Sequence, residues 1–274
     1  MFGAGGIVAA QEQAPEAARG RARSSRRTAL QIGATAIVAA GAATAATVET
    51  DTYKRHHPTS TARVSPLVTD HPIASPTSVV WRGIPGRRRV ALTFDDGPDP
   101  RWTPMALRLL EKHRAKGTFF MLGDSVARHP EIAKSVAAAG HEIGSHGSDH
   151  RHMCIQRPER LERQLRDTHE QISRATGSTP RLMRPPYGQF DAATTWAIAQ
   201  LDYTIALWSH RMTADRPWDR AKDCIATATD GMIMLCHDGR GTPTVDQMRA
   251  ADWLVGQMTG QGWEFVTVSD LMVA

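Results

Sequence analysis

From residue 79 onward, short apolar runs alternate with helical patterns, and the chain's polar landmarks fall just after the expected strands. Val90-Ala91-Leu92 leads into Asp95 and Asp96, and Gly97-Pro98 then breaks the run. Such a run before a turn reads as a buried strand that delivers its last residues to a rim. His146, Arg184 and His237 repeat that placement. Strand–helix alternation argues for an α/β protein with a mainly parallel sheet. Polar groups gathered at C-terminal strand ends are the habit of barrel-type α/β folds. The expected fold is a distorted, incomplete (β/α) barrel with about seven parallel strands and a small N-terminal hairpin. An open doubly wound sheet is the alternative.

The hairpin is expected between Val79-Val80-Trp81 and the stretch from Arg89 to Phe94, joined by Gly83-Ile84-Pro85-Gly86. Thr103-Pro104 opens a helix, with Thr103 as N-cap, Pro104 at its first position, and Leu107 and Leu110 on the apolar face. Further strands are expected over 117–122, 141–144, 181–183, 203–208, 232–236 and 264–268. Helices are expected over 130–139, 158–175, 191–201 and 244–258.

The 274 residues are 41% hydrophobic and 22% charged, enough for one large core with extensions. The net charge of +5 is concentrated early. Residues 1–46 hold five arginines against two glutamates, a net +3 that leaves +2 for the rest. So small a residue of charge gives no reason to expect nucleic acid as a partner. The three cysteines, Cys154, Cys224 and Cys236, form no C-x-x-C pair. A zinc knuckle is therefore unsupported. A Cys224–Cys236 disulfide is conceivable in an exported protein, with buried free thiols as the plainer expectation.

Arg26-Arg27-Thr28-Ala29-Leu30 precedes a stretch without charge from Thr28 to Val48. A basic region, a mildly apolar region and then small residues is the order of an export signal. The arginine pair followed by Leu30 resembles a twin-arginine signal. The uncharged stretch is also just long enough to remain as a weak membrane anchor. Residues 1–46 are thus read as leader, 47–77 as a flexible Thr/Ser/Pro/His linker, and 78–274 as the catalytic domain. The expected location is outside the cell or in the cell wall, with membrane contact only through the leader.

Two neighbouring carboxylates at a strand end can split roles, one binding a cation and the other staying free as a base. His146-x-x-x-His150 adds two imidazoles four positions apart, close enough to share that cation. One carboxylate plus two imidazoles leaves a position for water, as in a hydrolytic metal centre. Paired acids before a glycine also occur as plain surface turns, and loop histidines are often merely solvated. His113, His129, His152 and His169 read as helix-face or loop residues of that second kind. No H-E-x-x-H, Gly-x-Ser-x-Gly or Walker loop occurs to support a protease, serine hydrolase or NTPase.

These residues carry a family likeness. Residues 79–271 resemble the polysaccharide deacetylases, carbohydrate esterase family four. Thr93-Phe94-Asp95-Asp96-Gly97-Pro98 is identical to that family's first motif, and His146-Gly147-Ser148-Asp149-His150 keeps the spacing of its second. Arg184-Pro185-Pro186-Tyr187-Gly188 matches the third, and Ile233-Met234-Leu235-Cys236-His237-Asp238 the last. Gly117-Thr118-Phe119-Phe120 and Gly140-His141-Glu142-Ile143-Gly144 match internal landmarks. Landmarks in the right order are a strong signal where any one alone would be weak.

The resemblance implies removal of acetyl groups from carbohydrate, with N-acetylglucosamine units of chitin or peptidoglycan first in line. It implies a divalent metal on Asp96, His146 and His150, zinc first, with cobalt, nickel or manganese as substitutes. Asp95 would be the general base and Arg184 its partner. The backbone N–H of Tyr187 would meet the oxyanion. His237 would protonate the leaving group. Trp208, Leu235 and Pro186 would line the place for substrate. The partner is then an acetylated glycan, and a monomer is expected.

The chain departs from the family pattern around His146, which Ser145 precedes and Gly147 follows, and after Trp208. The family commonly shows Asp-x-x-Asp-Trp in the second region, where this chain reads Ser209-His210-Arg211-Met212-Thr213-Ala214-Asp215. Arg211 stands where an aspartate is common, and Asp215 is the candidate replacement for the carboxylate that tunes the histidine. A missing carboxylate would leave His237 less basic. An O-acetyl esterase on xylan, or a glycan-binding protein without turnover, are the alternative functions.

Overall fold

A computed structural model of the chain describes residues 77–273. The expected leader, and the linker up to residue 76, lie outside the described residues. The strands are β1 Val79–Val80, β2 Arg89–Asp95, β3 Gly117–Met121, β4 Glu142–Ser145, β5 Leu182–Met183, β6 Thr204–Ala206, β7 His210–Arg211, β8 Ile233–His237 and β9 Glu264–Phe265. The helices are α1 Thr103–Lys112, α2 Gly123–Arg128, α3 Pro130–Ala138, α4 Pro158–Thr176, α5 Ala192–Ala199, α6 Pro217–Ala226, α7 Val245–Gly260 and α8 Val268–Leu271.

The strands run in the order β1-β6-β5-β4-β3-β2-β8-β7, with β9 added beside the start of β2. Every pairing of named strands is parallel. Parallel neighbours need a long crossover, and the intervening helices supply most of them. β6 and β7 are separated by only three residues, yet they pair at opposite ends of the sheet. Ala206 lies beside Val80, whereas Ser209 donates to Ile233 O at 2.9 Å and Met212 to Leu235 O at 2.6 Å. One continuous segment therefore touches both edges. The sheet curls into the expected open, distorted α/β barrel.

β2 is the central strand, flanked by β3, β8 and β9. Its two faces explain its sequence. Val90, Leu92 and Phe94 pack outward among Leu110, Phe119, Met234 and Leu254 in the layer between strands and helices. Ala91 packs inward with Phe120, Ile233, Leu182 and Val268. The period of two then points Thr93 and Asp95 inward as well. Because both faces are buried, the run reads as continuously apolar until its last residues.

The expected hairpin does not form. β2 has no free edge for β1, because β3 and β8 occupy both sides. β1 pairs instead with β6 at the far end of the sheet. The connecting turn finds partners elsewhere: Gly83 donates to Gly231 O and Ile84 to Leu271 O, both at 2.8 Å. Thr103 is not the cap of α1 either. Trp102 holds that position without a side-chain hydrogen bond, and the Thr103 hydroxyl is committed to Asp238. The last strand ends at Phe265, and the remainder of its expected range starts α8, opened by a Thr267–Asp270 capping box. Helices α2 and α6 are additions that the sequence pattern did not predict. Cys224 and Cys236 are buried free thiols.

Phe94 is fully buried and stacks on Phe119 with ring centres 4.9 Å apart. Phe94→Ala should destabilise the domain by about 3–5 kcal/mol, read from the midpoint of denaturant unfolding.

Candidate active site

The C-terminal ends of β2, β4, β5 and β8 converge on one spot, and each brings one of the predicted residues. Asp95 ends β2, and Asp96 follows in the left-handed region with φ 79°. That turn is held from behind: a Cβ on Gly239 would run into the Asp96 carbonyl, so only glycine fits there. His146 follows β4, and His150 is also left-handed, with φ 61°.

Both imidazoles face one carboxylate oxygen. Asp96 Oδ1 lies 3.5 Å from His146 Nε2 and 3.3 Å from His150 Nε2. The oxygen is buried and has no hydrogen-bond partner. His146 Nδ1 donates to Arg184 O at 2.6 Å, which leaves Nε2 unprotonated toward Asp96. Ligands held about 2.1 Å from one metal at tetrahedral angles stand about 3.4 Å apart. The two Asp96–imidazole separations match that spacing, and all three donor atoms lie within 4.8 Å of one another. An orphaned buried carboxylate oxygen that faces the bare Nε2 of His146 and the ring nitrogen of His150 is unfavourable unless a cation joins it, so the donor set fits a divalent metal.

The titration of these groups agrees. Burial, reinforced by neighbouring Asp95 and opposed by Arg240, pushes the Asp96 carboxyl up to about 7. Burial pushes His150 down to about 3 and lowers His146 too. Neutral imidazoles and a carboxyl that resists ionising alone are the state a bound cation would exploit.

Arg184 is fully buried and organises the opposite wall. Its Nη1 donates to Asp95 Oδ1 and to Thr93 Oγ1, both at 2.7 Å. Its Nε reaches Ala206 O at 2.8 Å and its Nη2 Leu207 O at 2.9 Å. The guanidinium lies 4.0 Å from the centre of the Phe120 ring. Asp95 is thereby gripped through Oδ1, while Oδ2 stands 3.8 Å from His146 Nε2. One carboxylate oxygen is fixed and the other faces the predicted metal position.

His237 ends β8 directly beside Asp95 in register. Burial lowers its pKa, Asp95 opposes this, and Arg184, Arg240 and Arg211 add to the lowering. Leu235 shares register with Thr93 one step back along β8 and is buried. Tyr187 is left-handed, with φ 63°, in a tight turn whose Pro186 is buried. Trp208 is half-buried against Gly188, where a Cβ would approach the indole to 2.9 Å.

Asp215 lies elsewhere. It is exposed and pairs with Arg220 at 3.6 Å. The charges acting on His237 are Asp95, Arg184, Arg240 and Arg211, so no carboxylate from this segment tunes the histidine. The physical reason is the left-handed Arg216 and Pro217, which start α6 immediately and keep Asp215 on its outer approach. Arg211 fills the neighbourhood instead, 5.2 Å over the Trp208 ring.

Three residues escaped sequence reasoning. Asp238 is buried; its N–H donates to Asp95 O at 3.0 Å, and its Oδ2 accepts from Thr103 Oγ1 at 2.6 Å. Burial raises its pKa to about 8. Arg240 is left-handed, with φ 56°, and its Nη1 lies 3.9 Å from Asp96 Oδ1. His152 stacks on Tyr187 with ring centres 4.0 Å apart. The signal available for Arg240 was its place between two glycines right after His237-Asp238.

A family model for polysaccharide deacetylase matches residues 82–206. The peptidoglycan-N-acetylglucosamine deacetylase of Bacillus cereus is 34% identical over 204 residues, which cover 72% of this chain and 94% of that protein. The chain belongs to the polysaccharide deacetylase family. The family is one of hydrolases that act on acetylated carbohydrate, and the barrel and strand-end site fit it. The peptidoglycan-N-acetylmuramic acid deacetylase PdaC of Bacillus subtilis is 34% identical over 193 residues, covering 68% of this chain and 39% of that protein. Among solved structures, the Bc1960 peptidoglycan N-acetylglucosamine deacetylase superposes with a TM-score of 0.67 at 30% identity, over 72% of this chain and 93% of that one.

Metal affinity should report the Asp96 titration. The carboxyl is protonated below about 7 in the metal-free protein, and a metal requires it ionised. Zinc affinity should therefore rise about tenfold per pH unit below that value and level off above it, as read by competition with a coloured chelator. A flat profile would contradict the assignment of Asp96 as a ligand.

Proposed function

We propose that this domain is a metal-dependent deacetylase acting on the N-acetyl groups of peptidoglycan. The observation that carries the reading is that the fixed carboxylate Asp95 and the Asp96–His146–His150 donor set face the same point. The relatives named for peptidoglycan deacetylation support that polymer over chitin. The basic leader supports export to the compartment where peptidoglycan lies.

A divalent metal on Asp96, His146 and His150 would supply a Lewis acid for the acetyl carbonyl and acidify water. The chain's own residues do the rest. Asp95 Oδ2 takes the proton of the attacking water, while Arg184 holds Oδ1 and so fixes the direction of the free lone pairs. The N–H of Tyr187 meets the oxygen on which negative charge develops. Leu235 and Trp208 enclose the acetyl methyl. His237, next to Asp95 in the sheet, delivers a proton to the departing amine.

The test is chelator-sensitive acetate release from peptidoglycan, with chitooligosaccharides and acetylated xylan in parallel. Release from peptidoglycan supports the proposal; release from xylan alone would replace it with an O-acetyl esterase. Asp95→Asn should keep stoichiometric metal and lose at least about a hundredfold in kcat, whereas His146→Ala should lose both. Full activity in Asp95→Asn would overturn the mechanism.

Arg211 adds to the lowering of His237, so Arg211→Asn should raise the pKa of that histidine. Because the histidine must be protonated to act as acid, the alkaline limb of the pH–rate profile should move to higher pH. An unmoved limb would show that Arg211 does not tune the group that titrates there.

A further inference from the structure

Next to the metal-ligand cluster opens a cleft of about 570 Å³ whose walls include His150, Tyr187 and Arg240. It therefore adjoins the proposed metal-ligand cluster through His150. The parallel rings of Tyr187 and His152 form one side, with Tyr187 half exposed. Such a platform suits the face of a sugar ring. The charge of the cleft is less expected. Arg151, Arg157, Arg160 and Arg240 line it against one carboxylate, Asp149. Asp149 is 3.1 Å from Arg151 and 4.0 Å from Arg160. Among the described residues, Arg157 has no ion-pair partner within 4.0 Å.

A further observation points to a ligand. Arg240 holds a left-handed backbone, with φ 56°, that glycine adopts without strain. Strain of this kind at the rim of a site marks a side chain kept for a task. A neutral sugar calls for hydrogen-bond donors but not for net positive charge, and four guanidinium groups supply both. The planar fork of arginine matches a carboxylate with two parallel hydrogen bonds.

We infer that this cleft is an anion subsite that holds a carboxylate carried by an acidic N-acetylated glycan, and so selects acidic over neutral substrate. The inference rests on the deacetylase reading above and names the substrate class for that site. The carboxylate has two sources in peptidoglycan, the lactyl ether of N-acetylmuramic acid and the attached peptide. Both offer the same chemistry to the arginines. The surplus of positive charge also draws such a substrate toward the site, an effect that salt screens.

The experiment compares acetate release by the full chain from three substrates: a neutral N-acetylglucosamine tetramer, a peptide-free glycan of alternating N-acetylglucosamine and N-acetylmuramic acid, and the same glycan with peptides. The unaltered protein should favour at least one acidic glycan in kcat/KM, by a margin that shrinks as salt is raised. A gain with the peptide-free glycan identifies the lactyl carboxylate; a gain only with peptides identifies theirs. The exposed pair Arg157→Gln/Arg160→Gln should cut the acidic-to-neutral ratio by about tenfold. An unchanged ratio in this variant, or no preference in the unaltered protein, overturns the subsite. If no substrate is turned over, equilibrium binding of the neutral and acidic glycans to both proteins decides it. Tighter acidic binding that the variant loses supports the subsite, and equal binding overturns it.

Discussion

The buried Arg184 is the interaction on which the site depends. A guanidinium taken out of water is tolerated only when its donors are met. Here the acceptors come from β2, through Thr93 and Asp95, and from the end of β6, through Ala206 and Leu207. The carbonyl of the same residue accepts a hydrogen bond from His146 Nδ1–H. One side chain and its own peptide thus align the carboxylate, the imidazole tautomer and the strand that closes the barrel. Removing one partner from such a buried pair typically costs about 3–5 kcal/mol, because the charge left behind is unmet. Position and stability are therefore bound together at this residue.

The cluster is also assembled against local backbone preference. Asp96, His150, Tyr187 and Arg240 all lie at positive φ; the last three border one cleft, and Asp96 Oδ1 lies 3.3 Å from His150 Nε2 and 3.9 Å from Arg240 Nη1. Each such residue costs on the order of 1–3 kcal/mol. The surroundings over-determine them: Gly239 lies flush on the Asp96 peptide, and the Asp238 N–H ties the following loop to Asp95. The core around β2 carries that strain. The bends in turn aim side chains from separate loops at one point.

Much of this was legible in the sequence, for a physical reason. Asp95, Asp96, His146, Arg184 and His237 each end an apolar run, so their placement on one rim follows from strand direction alone. The curled parallel sheet follows from the alternation of elements. The misreadings share a different cause. The hairpin of Val79–Trp81 with β2 looked right locally, but the neighbours of β2 are β3 and β8, set by crossovers that local pattern does not encode. Thr103 carried a capping signature, yet a buried carboxylate from 135 residues away claimed its hydroxyl. Asp215 was near enough in sequence to serve His237, and an early helix start turned it outward. Arg240 is one arginine in a glycine-rich turn, and only its approach to Asp96 gives it meaning.

The pairing of β2 along the full length of both edges has a consequence for motion. Its backbone is enclosed by β3, β8 and β9, and both of its faces are buried. Amides in such a strand exchange with solvent only when the whole domain opens. Asp95, the residue assigned to move a proton at every turnover, thus sits at the end of the segment least free to fluctuate. The arginine-lined rim is exposed and drawn from loops and the first turn of α4. Substrate contacts in this fold can change at the exposed rim without disturbing the strand that holds the proton-handling end.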